Sequence, residues 1–122
     1  MTFMSTTRKP RRGEIWLVNF EPSLGAEIRK IRPAVVVSLD NFARLPLRVI
    51  VPLTEWKTSY AQYSWFVYVP MSALNGLSKD SGADAFQVKS VSETRFTTVL
   101  GNVTASELDD IAQAVTLVVG KP

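Results

Sequence analysis

Residues 12–38, RGEIWLVNFEPSLGAEIRKIRPAVVVS, decide the fold of this 122-residue chain. In 13–20, Ile15, Leu17 and Asn19 alternate with Trp16, Val18 and Phe20, which is the period of a strand. EPSLG at 21–25 reads as a turn. Residues 26–32 read as a loop, because Pro33 pushes Arg32 toward extended geometry. AVVVSL at 34–39 is then a β-branched strand, buried on both faces or nearly so.

Working outward, LRVIVPL at 47–53 is the next strand, with Pro52 indicating an edge or a bulge. A polar loop rich in aromatics spans 54–64, a strand 65–70, a turn 71–77 and a loop 78–84. Residues 85–91 alternate again, with Ala85, Gln87, Lys89 and Val91 on one face and Phe86, Val88 and Ser90 on the other. A short last strand spans 95–101. The period then changes. Leu108, Ile111, Ala112, Val115, Val118 and Val119 recur at helical spacing, Thr104 and Glu107 form a capping-box pattern, and Gly120 stops the helix. The expectation is a mainly β fold with a C-terminal helix: five or six strands in a small, strongly curved antiparallel sheet or partial barrel. Residues 1–12 read as a flexible basic arm and 13–122 as a single domain.

Composition narrows the chemistry. The chain has no cysteine and no histidine, which removes disulfides, thiolate metal sites, imidazole acid–base catalysis and His-paired nucleophiles. Acidic residues cluster only on the helix, where capping explains them, so neither metal nor cofactor is expected. Ten positive side chains, most of them arginine, face five acids in residues 1–57, whereas 58–122 carry four against six. This excess reads either as a solvated basic surface or as a polyanion-binding face. No segment is long and apolar enough to span a bilayer and the N-terminus lacks a secretory pattern, so cytoplasmic residence is the default.

Two features could carry chemistry. Arg32 precedes Pro33 at the mouth of a buried strand, where a fixed backbone holds its guanidinium still; the alternative is a surface pair with Glu27. Thr54 ends VPLT at 51–54 as a polar loop begins, either in a catalytic role or as a turn former. Trp56, Tyr60 and Tyr63 offer rings for stacking single-stranded RNA, or fold onto one another. Gln87 and Lys89, read as exposed, could touch bases or phosphates.

Taken together, residues 12–38, VPLT at 51–54 and LGNVTASELDDIAQAV at 100–115 resemble the MazF/PemK (Kid) family of toxin endoribonucleases. The resemblance covers most of 12–119 in the same order. It implies a small barrel related to SH3-like and CcdB folds, assembled as a homodimer. It implies metal-independent, sequence-selective cleavage of single-stranded mRNA through 2′-OH attack, leaving 2′,3′-cyclic phosphate and 5′-OH ends, and neutralisation by a cognate MazE-like antitoxin with an acidic tail. Carried over by position, Arg32 and Thr54 are the catalytic pair; the candidate RNA contacts are Glu27, Arg29, Lys30, Glu55, Trp56, Tyr60, Gln87 and Lys89. Three departures stand out. Ala26 replaces a histidine of some relatives. A DQ-V/I-RT segment falls on 89–93, where its arginine becomes Ser92 with Arg95 nearby. Glu55 follows Thr54 directly. The rival readings are a CcdB-like gyrase-binding toxin without a nuclease site and a general polyanion-binding domain.

Overall fold

The computed structural model describes residues 8–22, 24–27 and 30–121. Its strands are β1 (Glu14–Asn19), β2 (Ile31–Val36), β3 (Leu47–Glu55), β4 (Phe66–Val69), β5 (Ser81–Asp84), β6 (Lys89–Ser92) and β7 (Phe96–Asn102), followed by α1 (Ala105–Val118). All pairings are antiparallel, in the order β4-β5-β3-β2-β1-β7, with β6 also on β3. The path runs from β4 to β7 without closing on itself, so the barrel is partial.

β3 is the spine. It pairs with β2 through residues 50–52, with β6 through 47–50 and with β5 through 53–55. Val37 N donates to Val49 O, so in β3 the backbone groups of odd-numbered residues face β2 and those of even-numbered ones face the other side. Pro52 therefore lacks its N–H on the side where β6 hands over to β5. That is why a proline is tolerated in a central strand, and it replaces the expected edge or bulge.

The two faces of the sheet bury different sets of side chains. Ile15, Val35, Val51, Leu53, Val69 and Ala83 pack with Ile111 beneath α1. Trp16, Val18, Phe20, Ala34, Val36, Ile50 and Val91 form the second cluster, with Trp16 edge-on to Phe96 at 6.0 Å. Each large side chain so buried contributes about 1.5–3 kcal/mol. α1 begins where expected: Thr104 Oγ1 accepts from Glu107 N at 3.0 Å, and Glu107 accepts from Thr104 N at 2.9 Å. Gly120, at φ +88°, ends it.

Four readings need correction. β2 starts at Ile31, so Arg32 and Pro33 lie within the strand rather than in a loop. β3 extends to Glu55, which brings Thr54 into the sheet. The expected loop at 78–84 contains β5, whose four residues are all buried. Their small size misleads, but a Cβ on Gly82 would lie 3.0 Å from Trp56 and 3.1 Å from Phe66, so the strand must be small to pass beneath those rings. The expected strand at 85–91 is a 3-10 turn (Ala85–Gln87) followed by β6, because the Asp84 side chain accepts from Phe86 N and bends the chain.

Residues 8–12 of the expected arm pack on the body, and 1–7 lie outside the described residues. Pro10 is buried and its carbonyl accepts from Arg48 Nε at 3.0 Å. Arg48 is only 3% exposed; its Nη1 donates to the carbonyls of Leu45 and Leu47, each at 2.8 Å, and its Nη2 lies 3.5 Å from Glu93. Arg12 Nε donates to Val37 O, and Arg8 pairs with the buried Glu14. Of the described N-terminal cations Arg48 alone is buried, while Arg8 and Arg12 hold their partners nearer the surface.

Thr104→Ala removes one half of the cap. We expect a loss of about 1 kcal/mol, read as a melting temperature lowered by about 4 °C; an unchanged melt would show that the cap carries no stability.

Candidate functional site

Continuing the Ala34–Pro52 register by two residues brings Arg32 opposite Thr54. The β2–β3 ladder stops just before that point. Phe20 N donates to Lys30 O, which sets the even-numbered backbone groups of β2 toward β1 and the odd-numbered ones toward β3. The donor that Pro33 lacks is therefore the one that would have closed onto Leu53. The ladder ends there, and Arg32, Pro33, Leu53 and Thr54 line a groove of about 410 Å³ with Glu55, Lys57, Tyr60 and Lys79.

Sequence reasoning finds Arg32, Thr54, Glu55 and Tyr60 in this groove but misses Lys57 and Lys79. Lys79 reaches it from the turn before β5 and lies 3.4 Å from Glu55, so the acid next to Thr54 has a cation beside it. Nothing in the spacing of 55 and 79 announces that pair. Tyr60 stacks on Phe66 at 4.0 Å and 5°, and Trp56 packs on Tyr60 and Tyr68. Tyr63 stacks on Trp65 at 4.8 Å. The rings form a cluster of their own, with Tyr60 alone among Trp56, Tyr60 and Tyr63 lining the groove.

The remaining candidates lie to one side. Glu27, Gln87 and Lys89 line a second pocket of about 490 Å³ with Phe20, Ala26, Pro52, Trp65, Asp84, Phe86 and Val88. Phe86 and Val88 share this pocket with Gln87 and Lys89, contrary to the expected opposite faces, because the 3-10 turn rotates the chain. Glu27 accepts from Leu24 N, closing the turn within the β1–β2 loop. Lys30 holds φ +64° at the entry to β2. Arg29 lies outside the described residues. Arg95 donates to the carbonyls of Asn19 and Glu21, anchoring that same loop. Lys89 Nζ sits 5.9 Å from the centre of the Phe20 ring.

Asp84 lies buried in the wall of this pocket. Burial raises its pKa above the ordinary carboxylate value, and hydrogen bonds from Phe86 N and the Gln87 amide partly oppose the rise. Among the described residues no three of Asp and Glu gather as a metal-binding group, and no helix is long and apolar enough to cross a membrane.

A family model described as PemK-like, MazF-like toxin of type II toxin-antitoxin system matches residues 11–119. Endoribonuclease MazF9 of Mycobacterium tuberculosis (strain ATCC 25618 / H37Rv) is 34% identical over 113 residues, covering 88% of this chain and 93% of that protein. Endoribonuclease PemK of Escherichia coli is 44% identical over 45 residues, 36% of this chain and 34% of that protein. Among solved structures, MazF of Deinococcus radiodurans superposes with a TM-score of 0.78 at 23% identity, covering 93% of this chain and 99% of that one. An endoribonuclease in complex with its cognate antitoxin, from mycobacterial species, gives 0.73 at 20% identity, covering 93% and 97%. At these identities the structural matches carry the fold.

The Asp84 shift has a sign that can be measured. A raised folded-state pKa means that the folded chain holds the proton more tightly than the unfolded one, so this group's contribution to stability falls as pH rises through the window just above the ordinary carboxylate range. Asp84→Asn keeps an acceptor for Phe86 N but cannot ionise. We expect the wild type's melting temperature to fall relative to the variant's as pH rises across that window; a difference that stays constant with pH would remove Asp84 as a contributor.

Proposed function

The chain belongs to the PemK-like, MazF-like family of toxins of type II toxin–antitoxin systems, and from that premise we propose that it is an endoribonuclease cutting single-stranded mRNA at short sequence motifs. The observation that carries the reading is the groove in which Arg32 and Thr54 meet where the β2–β3 ladder ends. RNA brings its own nucleophile. Its 2′-OH attacks the adjacent phosphorus, the 2′-O–P bond forms, and the P–O5′ bond breaks. The products are a 2′,3′-cyclic phosphate and a 5′-OH. The protein needs to hold the phosphate and to offset the charge that develops on its non-bridging oxygens.

Arg32 suits that charge, since its planar fork can donate two hydrogen bonds to one phosphate, and strand pairing limits its freedom. A guanidinium keeps its proton and is a poor base, so its role is electrostatic; the 2′-OH proton leaves to solvent in the open groove, and the departing 5′-oxygen takes a proton from the same solvent. The Thr54 hydroxyl donates to a phosphate oxygen and fixes the in-line geometry. Lys57 and Lys79 draw the strand in, and Tyr60 borders its path. No step is written through a metal: the chain has no histidine or cysteine, and among the described residues no three carboxylates gather. The proposal extends to a homodimer acting in the cytoplasm, and to a MazE-like antitoxin whose acidic segment occupies the same groove.

Incubation of a long unstructured RNA with the protein in EDTA is the direct test. We expect fragments with 5′-OH and cyclic phosphate ends, and no cutting where the attacking nucleotide is 2′-deoxy. Arg32→Ala should lower kcat by about 10²–10³-fold, the cost of losing one preorganised charge-stabilising group, with an unchanged melt. Thr54→Val should cost less. Wild-type cutting by the Arg32→Ala protein, or intact RNA with the wild type, would overturn the reading; intact RNA together with gyrase inhibition would favour a CcdB-like poison. An acidic antitoxin peptide should compete with RNA, whereas simultaneous binding would separate the two sites.

A further inference from the structure

We propose that the pocket beside the groove is a guanine-selective subsite, in which Asp84 reads the base; this rests on the ribonuclease reading above. Its volume, about 490 Å³, is that of a small-ligand site. Three rings wall it: Phe20, Trp65 and Phe86. Phe86 is 63% exposed and stands edge-on to Trp65 at 5.4 Å, so an apolar ring sits at the pocket mouth, in water, where a base could stack.

Asp84 is 9% exposed, and a carboxylate that deep is costly unless donors surround it. The chain supplies two, Phe86 N at 3.1 Å and Gln87 Nε2 at 3.4 Å. An ionised carboxylate has about four acceptor positions, so the pair of oxygens can take more. Guanine presents N1–H and N2–H side by side, matching two carboxylate oxygens. Its O6 and N7 accept, which suits the ammonium of Lys89 in the same pocket. Adenine offers one donor beside an acceptor, and uracil would turn a carbonyl toward the carboxylate.

The location fits a base next to the cut. Pro52 borders the pocket and Thr54 the groove, on the same face of β3. Two residues along a strand span about 6.7 Å, comparable to the step from a phosphate to the base of a neighbouring nucleotide.

The test has a cleavage arm and a binding arm. Sequencing the 5′ ends of fragments from wild-type digestion should show guanine enriched at one position flanking the cut. Replacing that guanine by inosine, which lacks the N2 donor, should slow cutting about tenfold, within the discrimination of one good base contact. Asp84→Asn should erase the difference between guanine and adenine at that position. In the binding arm, non-cleaving Arg32→Ala protein should bind a guanine-bearing hexanucleotide about tenfold more tightly than its adenine counterpart by fluorescence anisotropy. The inosine and hexanucleotide measurements do not depend on the Asp84 variant folding. Enrichment of another base, or equal binding of guanine and adenine, overturns the proposal. If wild-type protein leaves every RNA intact, the nuclease reading fails while the binding arm still decides the pocket.

Discussion

The pairing of β2 with β3 ends at a proline, and the rest of the site depends on that ending. A β-ladder propagates for as long as each residue supplies both a donor and an acceptor. Pro33 withholds a donor on the side facing β3, and the ladder ends just short of the position where Arg32 faces Thr54. Pro52, one strand over, withholds its donor where β6 gives way to β5. Both omissions fall where the sheet can absorb them. The result is an opening between two strands that are otherwise rigidly held, with the groove at Thr54 and the second pocket at Pro52 on the same face of β3.

Net charge proves a poor map of that face. Most of the chain's positive excess lies in its first half, yet Arg48 is buried among the carbonyls of Pro10, Leu45 and Leu47, Arg12 holds Val37, and Arg8 is paired with Glu14. Arg48 is an internal clasp, tying Pro10 to the turn before β3, while Arg12 and Arg8 hold local partners. The cations that line the groove with Arg32 are Lys57 and Lys79, one at each end of the β3–β5 segment, and Lys79 sits beside Glu55. A few placed charges at a strand opening, rather than a broad basic surface, set the electrostatics here.

The aromatic residues follow the same logic of internal use. Trp56, Tyr60, Tyr63, Trp65, Phe66 and Tyr68 pack largely on one another, and Gly82 leaves room beneath them. Only margins of the cluster meet the two cavities, through Tyr60 on one side and through Trp65 and Phe86 on the other. The rings therefore stiffen the cavity walls as well as offering surface to a ligand.

Periodicity and capping sufficed for β1, the buried stretch of β2 and the whole of α1, because each of these expresses its structure through neighbours a few residues apart: alternation in 14–19, and the reciprocal Thr104–Glu107 bonds. The family pattern in 12–38 and at 51–54 likewise singled out Arg32 and Thr54. Residues 81–92 resisted such reading. Ser-Gly-Ala-Asp resembles a loop by propensity and becomes a strand because β3 and β4 pair with it from either side. Phe86 resembles a core residue and turns outward because Asp84 bends the chain. The amino-acid order by itself determined the alternation of β1 and the cap of α1, and marked Arg32 and Thr54 as candidates. Only the tertiary structure decided that Lys79 would stand beside Glu55 and that Asp84 would share a pocket with Lys89, since those meetings depend on strand pairing and a local turn that no sequence spacing encodes.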